Sequence, residues 1–193
     1  MVVPGTLDAL ACCLEYPDAH TARQARLGAN ALASDYPVLS AALWSLAVYL
    51  ERTPPGRAEE RYTSLFDVNP VCTLHVGYHV FGDTYPRGEF LAALCAELRT
   101  AGVPTNGDLA DFLPTLLRLL DRLAEPEDRR SLRQIALLPA VRRMAEALAT
   151  SKDPWSGILR ALPEILTEAE DSADAPCAGG GPAPTAVGSG PLA

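Results

Sequence analysis

The amino-acid sequence predicts an all-α protein, a single helical bundle of about eight helices. Leucine and alanine recur at three- and four-residue spacing through most of the 193 residues, and this spacing is typical of amphipathic helices. Period-two alternation rich in Val, Ile and Thr, which would indicate strands, is almost absent. Apolar residues make up 48% of the chain and charged residues 21%, so there is enough apolar material for a buried core.

Four helices are predicted in the first part of the chain. The first stops before Pro17, because the residue ahead of a proline disfavours helical geometry. The third has Pro37 in its first turn, where the missing N–H costs nothing. It is apolar on more than one side, so we expect it in the middle of the bundle. The predicted ranges are about 6–16, 20–34, 37 to the breaker at 53–56, and 57–66.

The later helices are separated by glycine and proline. Gly82 is a candidate left-handed cap that ends a short helix, and Asp83 or Thr84 can cap the next one. A long helix starts near Pro126, and Pro139 is expected to kink or split it. The predicted ranges are 71–81, 85–101, 112–124 and about 126–150, with a last amphipathic piece at 155–170.

Composition also predicts the domain organisation and the compartment. Residues 172–193 are rich in Ala, Gly and Pro and have no aromatic side chain, so they are too poor in large side chains to offset the entropy of ordering. We therefore expect a helical domain at 1–171 and a disordered tail. Residues 1–16 lack a basic start and a sustained apolar stretch, and no run long enough to span a bilayer follows. These features predict a soluble, cytoplasmic protein without membrane insertion.

The charge balance is acidic. The chain has 16 basic and 24 acidic residues and a net charge of −8, and Lys152 is its single lysine. Binding to a phosphate backbone has no electrostatic driving force in such a chain, so we expect no nucleic-acid partner. An acidic surface instead favours association with a basic peptide.

Residues 61–88 hold the densest set of side chains that can do chemistry. On a continuous helix Cys72, His75 and His79 would share one face, and a thiolate with two imidazoles is a set that zinc accepts. A structural zinc site takes four ligands, however, and one rigid helix is hard to wrap around an ion, so we expect no metal. In the other interpretation Cys72 is a small buried hydrophobe and both histidines are hydrogen-bonded in the core or a groove.

Known catalytic arrangements are missing from the sequence. Cys72 with His75, or Ser64 with Asp67, qualifies as a nucleophile and its partner on proximity alone. The sequence has no nucleophile elbow, no phosphate-binding glycine loop and no dinucleotide fingerprint. We expect no enzyme activity, no catalytic residue and no cofactor. Two alternatives stay open: a metal- or cysteine-dependent enzyme using Cys72, His75 and His79, and a helical regulatory scaffold.

An ordered series of short motifs runs through the middle of the chain. It consists of Phe66-Asp67, Cys72-x-Leu74, Gly82-Asp83-Thr84, Arg87-Gly88 with a Phe-Leu-x-x-Leu-like helix after it, and Asp111-Phe112-Leu113-Pro114. In this order the motifs resemble the signature of the nitrate-reductase molybdenum-cofactor assembly chaperones, the NarJ type. The resemblance covers about residues 7–166. That family lies within the wider TorD-type group of redox-enzyme maturation chaperones.

The resemblance implies a helical bundle that is a chaperone and not an enzyme. Such chaperones bind the N-terminal segment of a molybdenum enzyme's catalytic subunit. They hold it in the cytoplasm until the bis-molybdopterin guanine dinucleotide cofactor is inserted. The implied partner is therefore the catalytic subunit of a molybdenum-dependent reductase, with respiratory nitrate reductase as the first candidate. The implied processes are nitrate assimilation and the binding of an unfolded polypeptide.

Two sets of site residues follow. A groove between helices can take an amphipathic helix of the partner, while acidic residues at its rim select a basic segment. We expect this groove to involve Tyr62, Phe66, His75, Tyr78 and His79, although Tyr62 and Phe66 at i, i+4 also fit an ordinary core stripe. Titration of the two histidines near neutral pH is a hypothesis for tuning the binding. The turn and family-motif set is Asp67, Cys72, Gly82, Asp83, Thr84, Arg87 and Gly88.

Overall fold

The computed structural model describes residues 5–68 and 72–168. Over these residues the chain forms helices and no strand, which confirms the predicted all-α fold. The predicted tail and the domain boundary at residue 171 lie outside the described residues. The helices are α1 Thr6–Leu14, α2 Thr21–Leu32, α3 Pro37–Arg52, α4 Pro55–Phe66, α5 Val76–Phe81, α6 Tyr85–Ala101, α7 Leu113–Arg122, α8 Pro126–Ser131, α9 Leu138–Ala147 and α10 Pro154–Glu168.

The helices surround one continuous hydrophobic core. Helix α1 packs between α2 and α7, α3 packs against α2 and α10, and α9 packs against α10 and α5. Leucines from nearly every helix are buried in this core, together with Trp155 of α10. The burial of apolar side chains supplies most of the stabilisation of such a bundle.

The carboxyl end of α1 is fixed by two aromatic side chains. The Tyr62 hydroxyl donates to the carbonyl of Leu14 at 2.8 Å, and the Trp155 indole N–H donates to the carbonyl of Cys13 at 3.0 Å. The last carbonyls of a helix have no partner inside the helix, so they need such donors when they are buried. The two rings also pack edge to face, with centroids 5.6 Å apart. The end of α1 is thereby held against α4 and α10.

Helix α3 does not lie in the middle of the bundle, so that prediction is wrong. It buries Leu39, Leu43 and Leu46 against its neighbours but leaves Val38 and Trp44 exposed. The Arg26 guanidinium lies 4.4 Å from the centre of the Trp44 ring, where a cation is attracted by the ring face. Exposed apolar residues are common on the surfaces of folded proteins. Apolar residues on several sides of a helix therefore do not show that the whole helix is buried.

The long helix predicted from Pro126 changes its helix type ahead of Pro139, the position where a kink or a split was expected. Helix α8 continues through a π-helical segment, Leu132–Leu137, directly into α9. At its end the N–H of Leu138 donates to the carbonyl of Arg133, five residues earlier. A proline ring clashes with the carbonyl four residues before it in an α-helix, and a wider turn relieves that clash.

The predicted helix at 71–81 is wrong in its first part, since α5 starts only at Val76. The preceding residues are extended and pair with a distant segment. The N–H of Val76 donates to the carbonyl of Asp111 at 2.8 Å, and the N–H of Leu113 donates to the carbonyl of Leu74 at 2.9 Å. In this stretch Cys72 and Leu74 are buried, while Thr73 and His75 are partly exposed.

Candidate functional site

The extended segment borders a pocket of about 450 Å³. The carboxyl ends of α1 and α4 form two of its sides, and the extended residues 73–75 and the loop 106–112 form the others. Hydrogen bonds between residues 74–76 and 111–113 hold these two segments together. The pocket is lined by Glu15, Tyr16, Tyr62, Phe66, Asp67, Thr73, Leu74, His75, Asn106, Asp108 and Phe112.

Aromatic rings make up much of the pocket wall. Tyr62 packs edge to face against Tyr16 and Phe66, with centroids 5.6 and 4.9 Å apart. Tyr62 and Phe66 are almost completely buried, whereas Tyr16 is 54% exposed at the mouth. Tyr62 and Phe66 therefore belong to the core, as one of the two interpretations predicted, and they also line the pocket. An arrangement of this kind presents a rigid apolar surface to a ligand.

The charged groups of the pocket are carboxylates. Glu15, Asp67 and Asp108 line it, and its described lining contains no arginine or lysine. Partial burial raises the pKa of Asp108; the nearby His75 opposes this rise, and the Glu15 and Asp67 carboxylates add to it. Burial followed by the same group of carboxylates also raises the pKa of Tyr62. Carboxylates from three separate segments of the chain thus give this one pocket a negative electrostatic potential.

Glu15 is the carboxylate of this set with a strong cationic partner. Arg118 of α7 donates to its two oxygens at 2.5 and 2.9 Å and to Asp8 at 2.7 Å. These bonds raise the pKa of Arg118 further above its already high value. The bonds of Arg118 join α1 to α7 beside the pocket. Asp67 and Asp108, the other two carboxylates of the pocket, form no ion pair among the described contacts.

A second group of polar side chains, the Asp111 cluster, consists of Asp111, His75 and Arg87. The Asp111 carboxylate is fully buried, with His75 Nδ1 at 3.1 Å from one oxygen and the Arg87 guanidinium at 3.0 Å from the other. Burial alone would raise the pKa of Asp111, but His75 and Arg87 hold it below its usual value. The cluster fixes the loop 106–112 to α5 and α6.

Gly77 allows the close approach on which the Asp111 cluster depends. A Cβ atom at this position would lie 2.6 Å from the Asp111 carboxylate and 3.2 Å from the Phe90 ring. Both distances are shorter than ordinary van der Waals contacts. Helix α5 can therefore lie against the carboxylate only with glycine at residue 77.

Of the five predicted partner-binding residues, the structure brings three together. Tyr62, Phe66 and His75 line the pocket, but Tyr78 and His79 do not. His79 is buried instead, with Nε2 2.7 Å from the carbonyl of Thr73, and burial lowers its pKa. Tyr78 lies beside Arg87, whose guanidinium carbon is 5.9 Å from the ring centre. The late start of α5 turns these two residues away from the pocket.

The residues of the zinc hypothesis are not arranged around a common point. Because α5 starts only at Val76 and His75 is extended, Cys72, His75 and His79 do not share a helix face. In the described part of the chain, no group of three or more His, Cys, Asp or Glu side chains is placed to hold a metal ion. Burial raises the pKa of Cys72, which disfavours the thiolate that a nucleophile or a metal ligand requires.

The turn and family-motif residues have separate roles. Gly82 ends α5 with a φ of +69°, a conformation that favours glycine. The Thr84 hydroxyl donates to the carbonyl of Phe81 at 2.8 Å and thereby secures the turn into α6. Asp83 and Gly88 are exposed. Arg87 acts in the Asp111 cluster, Cys72 lies in the core and Asp67 lines the pocket.

Sequence reasoning missed the half of the pocket that comes from other parts of the chain. Glu15 and Tyr16 follow α1, while Asn106, Asp108 and Phe112 come from the loop before α7. That loop was predicted only as a connection. The available signal was the run of polar residues with two aspartates just ahead of Phe112, in a segment that also resembles the family motif.

Comparison with known proteins gives one kind of relative. The chain is similar to an assembly chaperone. It is 26% identical over 163 residues to the nitrate reductase molybdenum cofactor assembly chaperone NarJ of Escherichia coli K12. The aligned region covers 82% of this chain and 68% of that protein. The protein of the same name from E. coli O157:H7 matches to the same extent. No family model matches the chain. Among the described helices, none combines the length and apolar character needed to cross a membrane.

Proposed function

We propose that this protein is a NarJ-type assembly chaperone, within the TorD-like group, for the catalytic subunit of a molybdenum-dependent reductase. It binds the N-terminal segment of that subunit in the cytoplasm and assists insertion of the molybdenum cofactor before assembly, without being an enzyme. Respiratory nitrate reductase is the first candidate client. The observation that carries the proposal is the similarity to NarJ, because it extends over 82% of the chain and is not confined to a short motif.

The pocket supports this proposal as the place where the client segment binds. A client helix binds a chaperone by placing apolar side chains in a preformed groove. The pocket offers such a surface in Tyr16, Tyr62, Phe66 and Phe112, with His75 at its edge. We assign the client-binding role to these residues, and Tyr78 and His79 are left out because they do not line the pocket.

A deletion and complementation experiment tests the function. Deleting the gene should strongly reduce the activity of the molybdenum reductase while its catalytic subunit is still made. The intact gene should restore activity, and the catalytic subunit should co-purify with the tagged chaperone. Full reductase activity in the deletion strain would disprove the proposal.

A pair of tyrosine variants tests the pocket itself. Tyr16→Ala removes an exposed ring at the pocket mouth and should weaken both co-purification and complementation. Tyr85→Ala removes a ring that is 80% exposed at the start of α6 and does not line the pocket. It should behave as the wild type. Equal complementation by the two variants would place client binding elsewhere.

A further inference from the structure

The outer face of α3 differs from that of an ordinary surface helix. Such a helix normally presents charged and polar side chains to solvent, but between Asp35 and Glu51 the chain contains no charged residue. Six residues of this stretch fall within about 120° around the helix axis, on the side away from the buried leucines. They are called the α3 strip and are Pro37, Val38, Ala41, Trp44, Ser45 and Val48.

The α3 strip is continuous and mostly exposed. Val38 is 62% exposed and Trp44 is 46% exposed, and of the six residues Val48 alone is partly buried. Single exposed apolar residues are common, but a strip of them along one helix is typical of a surface that contacts another molecule. None of the six residues lines the pocket, so the strip is a second surface.

Trp44, the largest side chain of the strip, is held in place from α2. The Arg26 guanidinium lies against its ring and donates to both oxygens of Glu51 at 2.6 and 2.5 Å. Because these contacts restrict the indole, little side-chain entropy is lost when another surface covers it. Tryptophan is also among the residues that contribute most to binding at the centre of protein interfaces.

The two ends of the strip carry opposite charges. Asp35 precedes α3 and Arg52 ends it, and both side chains are exposed. Neither forms an ion pair within the described part of the chain. The midpoint between Asp35 and Arg52 falls beside Trp44, and Val38 and Val48 are placed almost evenly on either side of it. The strip is therefore complementary to a second copy of itself that is turned end for end.

We propose that the α3 strip binds a second copy of this chain, in a dimer whose two α3 helices run antiparallel across a two-fold axis beside Trp44. In such a symmetric contact each copy supplies the same residues, so Asp35 of either copy faces Arg52 of the other. These charges stand about 13 Å from the axis along each helix. At a helix crossing angle of about 20° they remain within reach of an arginine side chain. The dimer goes beyond the chaperone function and does not depend on it.

The net charge of the chain favours this face for self-association. At a net charge of −8 two copies repel one another, and contact costs least where no carboxylates are brought together. A single pair of short helices buries less than about 1,200 Å² in total, which is the size of transient interfaces. The dimer is therefore weak and forms at micromolar concentrations, and the two end pairs fix its register.

Sedimentation velocity of the full chain at about 1 to 200 µM tests self-association. The average mass should rise with concentration from that of a monomer towards that of a dimer. Trp44→Glu places two carboxylates beside the two-fold axis and should raise the dissociation constant at least about tenfold. Tyr85→Glu makes the same change in charge at an exposed ring of α6 and should leave the dissociation constant unchanged. Circular dichroism checks that both variants fold.

A charge exchange tests the antiparallel arrangement. Asp35→Arg alone or Arg52→Asp alone places like charges at both ends of the dimer and should raise the dissociation constant about fivefold. The two changes together restore opposite charges and should return it to within about twofold of the wild type. Asp121→Arg and Arg99→Asp, singly and together, match the changes in net charge at exposed positions outside the strip. They should change the dissociation constant by less than about twofold.

Each outcome bears on the dimer separately from the chaperone function. A wild-type chain that stays monomeric at the highest concentration would overturn the proposal, as would equal self-association of Trp44→Glu and the wild type. A double exchange that fails to restore the affinity would overturn the antiparallel pairing. If the wild type is monomeric and Trp44→Glu lowers recovery of the client subunit, the strip binds the client and the second-copy assignment falls. The reductase activity of the deletion strain tests the chaperone function independently of these results.

Discussion

The pocket and the Asp111 cluster lie on the two sides of one loop, 106–112, and treat their carboxylates in opposite ways. Asp111 is fully buried and meets two side-chain partners, His75 and Arg87. Asp108, three residues earlier, is exposed in a pocket whose other charged groups are also carboxylates. Burial acts on both groups, yet the pKa of Asp111 is lowered while that of Asp108 is raised.

This contrast distinguishes a carboxylate that stabilises the fold from one that is available to a ligand. A buried carboxylate paired with a guanidinium holds elements in register, and its loss leaves the guanidinium unpaired. Carboxylates that face one another without a cation cost a little stability and attract a positive ligand. One segment thus supplies a fixed support on one side and an acidic site on the other. The predictions below test whether the same chemical change has opposite effects on the two sides.

Loss of the Asp111 carboxylate should have the largest effect. Asp111→Asn removes the charge that balances Arg87 inside the protein, and breaking such a buried pair costs about 3 kcal/mol or more. The free energy of unfolding in urea should fall by about that amount. Asp83→Asn, at an exposed position in the next turn, is the control and should change little. A loss below about 0.5 kcal/mol for Asp111→Asn would show that the cluster does not hold the loop.

Gly77→Ala should have the next largest effect. The added methyl group would lie 2.6 Å from the Asp111 carboxylate, so α5 has to shift, at a cost of about 1–3 kcal/mol. Gly88→Ala is the matched control in α6, where a Cβ has no neighbour within 4 Å. There the helix should gain about 0.5–1 kcal/mol, because alanine favours a helix more than glycine does. Equal effects of the two changes on urea unfolding would contradict the close contact at Gly77.

The helices were predictable because their signals are local. Helix α6 was predicted at 85–101 and is observed at Tyr85–Ala101, since Pro86 stands in its first turn and Gly102 ends it with a φ of +65°. Residues 72–75 were predicted as helix because the chain around them is apolar. They lie outside α5 because Leu74 and Val76 pair with Leu113 and Asp111, and pairing across that distance leaves no periodic signal.

The pocket was also predictable only in part, because the sequence shows local signals and not contacts between distant segments. Tyr62, Phe66 and His75 were selected because they lie in one unusual segment, and all three line the pocket. Asp108 and Tyr16 come from other parts of the chain, so only the folded structure shows that they face Tyr62. The partner of His75 was missed for the same reason, because Asp111 lies 36 residues further along the chain.

His79 should make stability depend on pH. Its folded-state pKa lies below 6.5, mainly through burial, with Arg143 and His75 opposing a positive charge and Asp111 favouring one. The unfolded chain therefore binds the proton first, and stability is lost as the pH falls below about 6.5. Urea unfolding from pH 7.5 to 5.5 should show a smaller loss in His79→Gln than in the wild type. His20→Gln, at an exposed position, is the control and should keep the wild-type slope.

Asp108→Asn should have the smallest effect on stability and the opposite sign to Asp111→Asn. The raised pKa of Asp108 means that its charged form is disfavoured in the folded protein, so removing the charge should stabilise the fold at neutral pH. Because the side chain is exposed and screened by solvent, the gain should be only a few tenths of a kcal/mol. Urea unfolding of both variants at pH 7 measures the difference in sign. A clear loss of stability in Asp108→Asn would mean that this carboxylate has a partner inside the protein, and its contrast with Asp111 would then disappear.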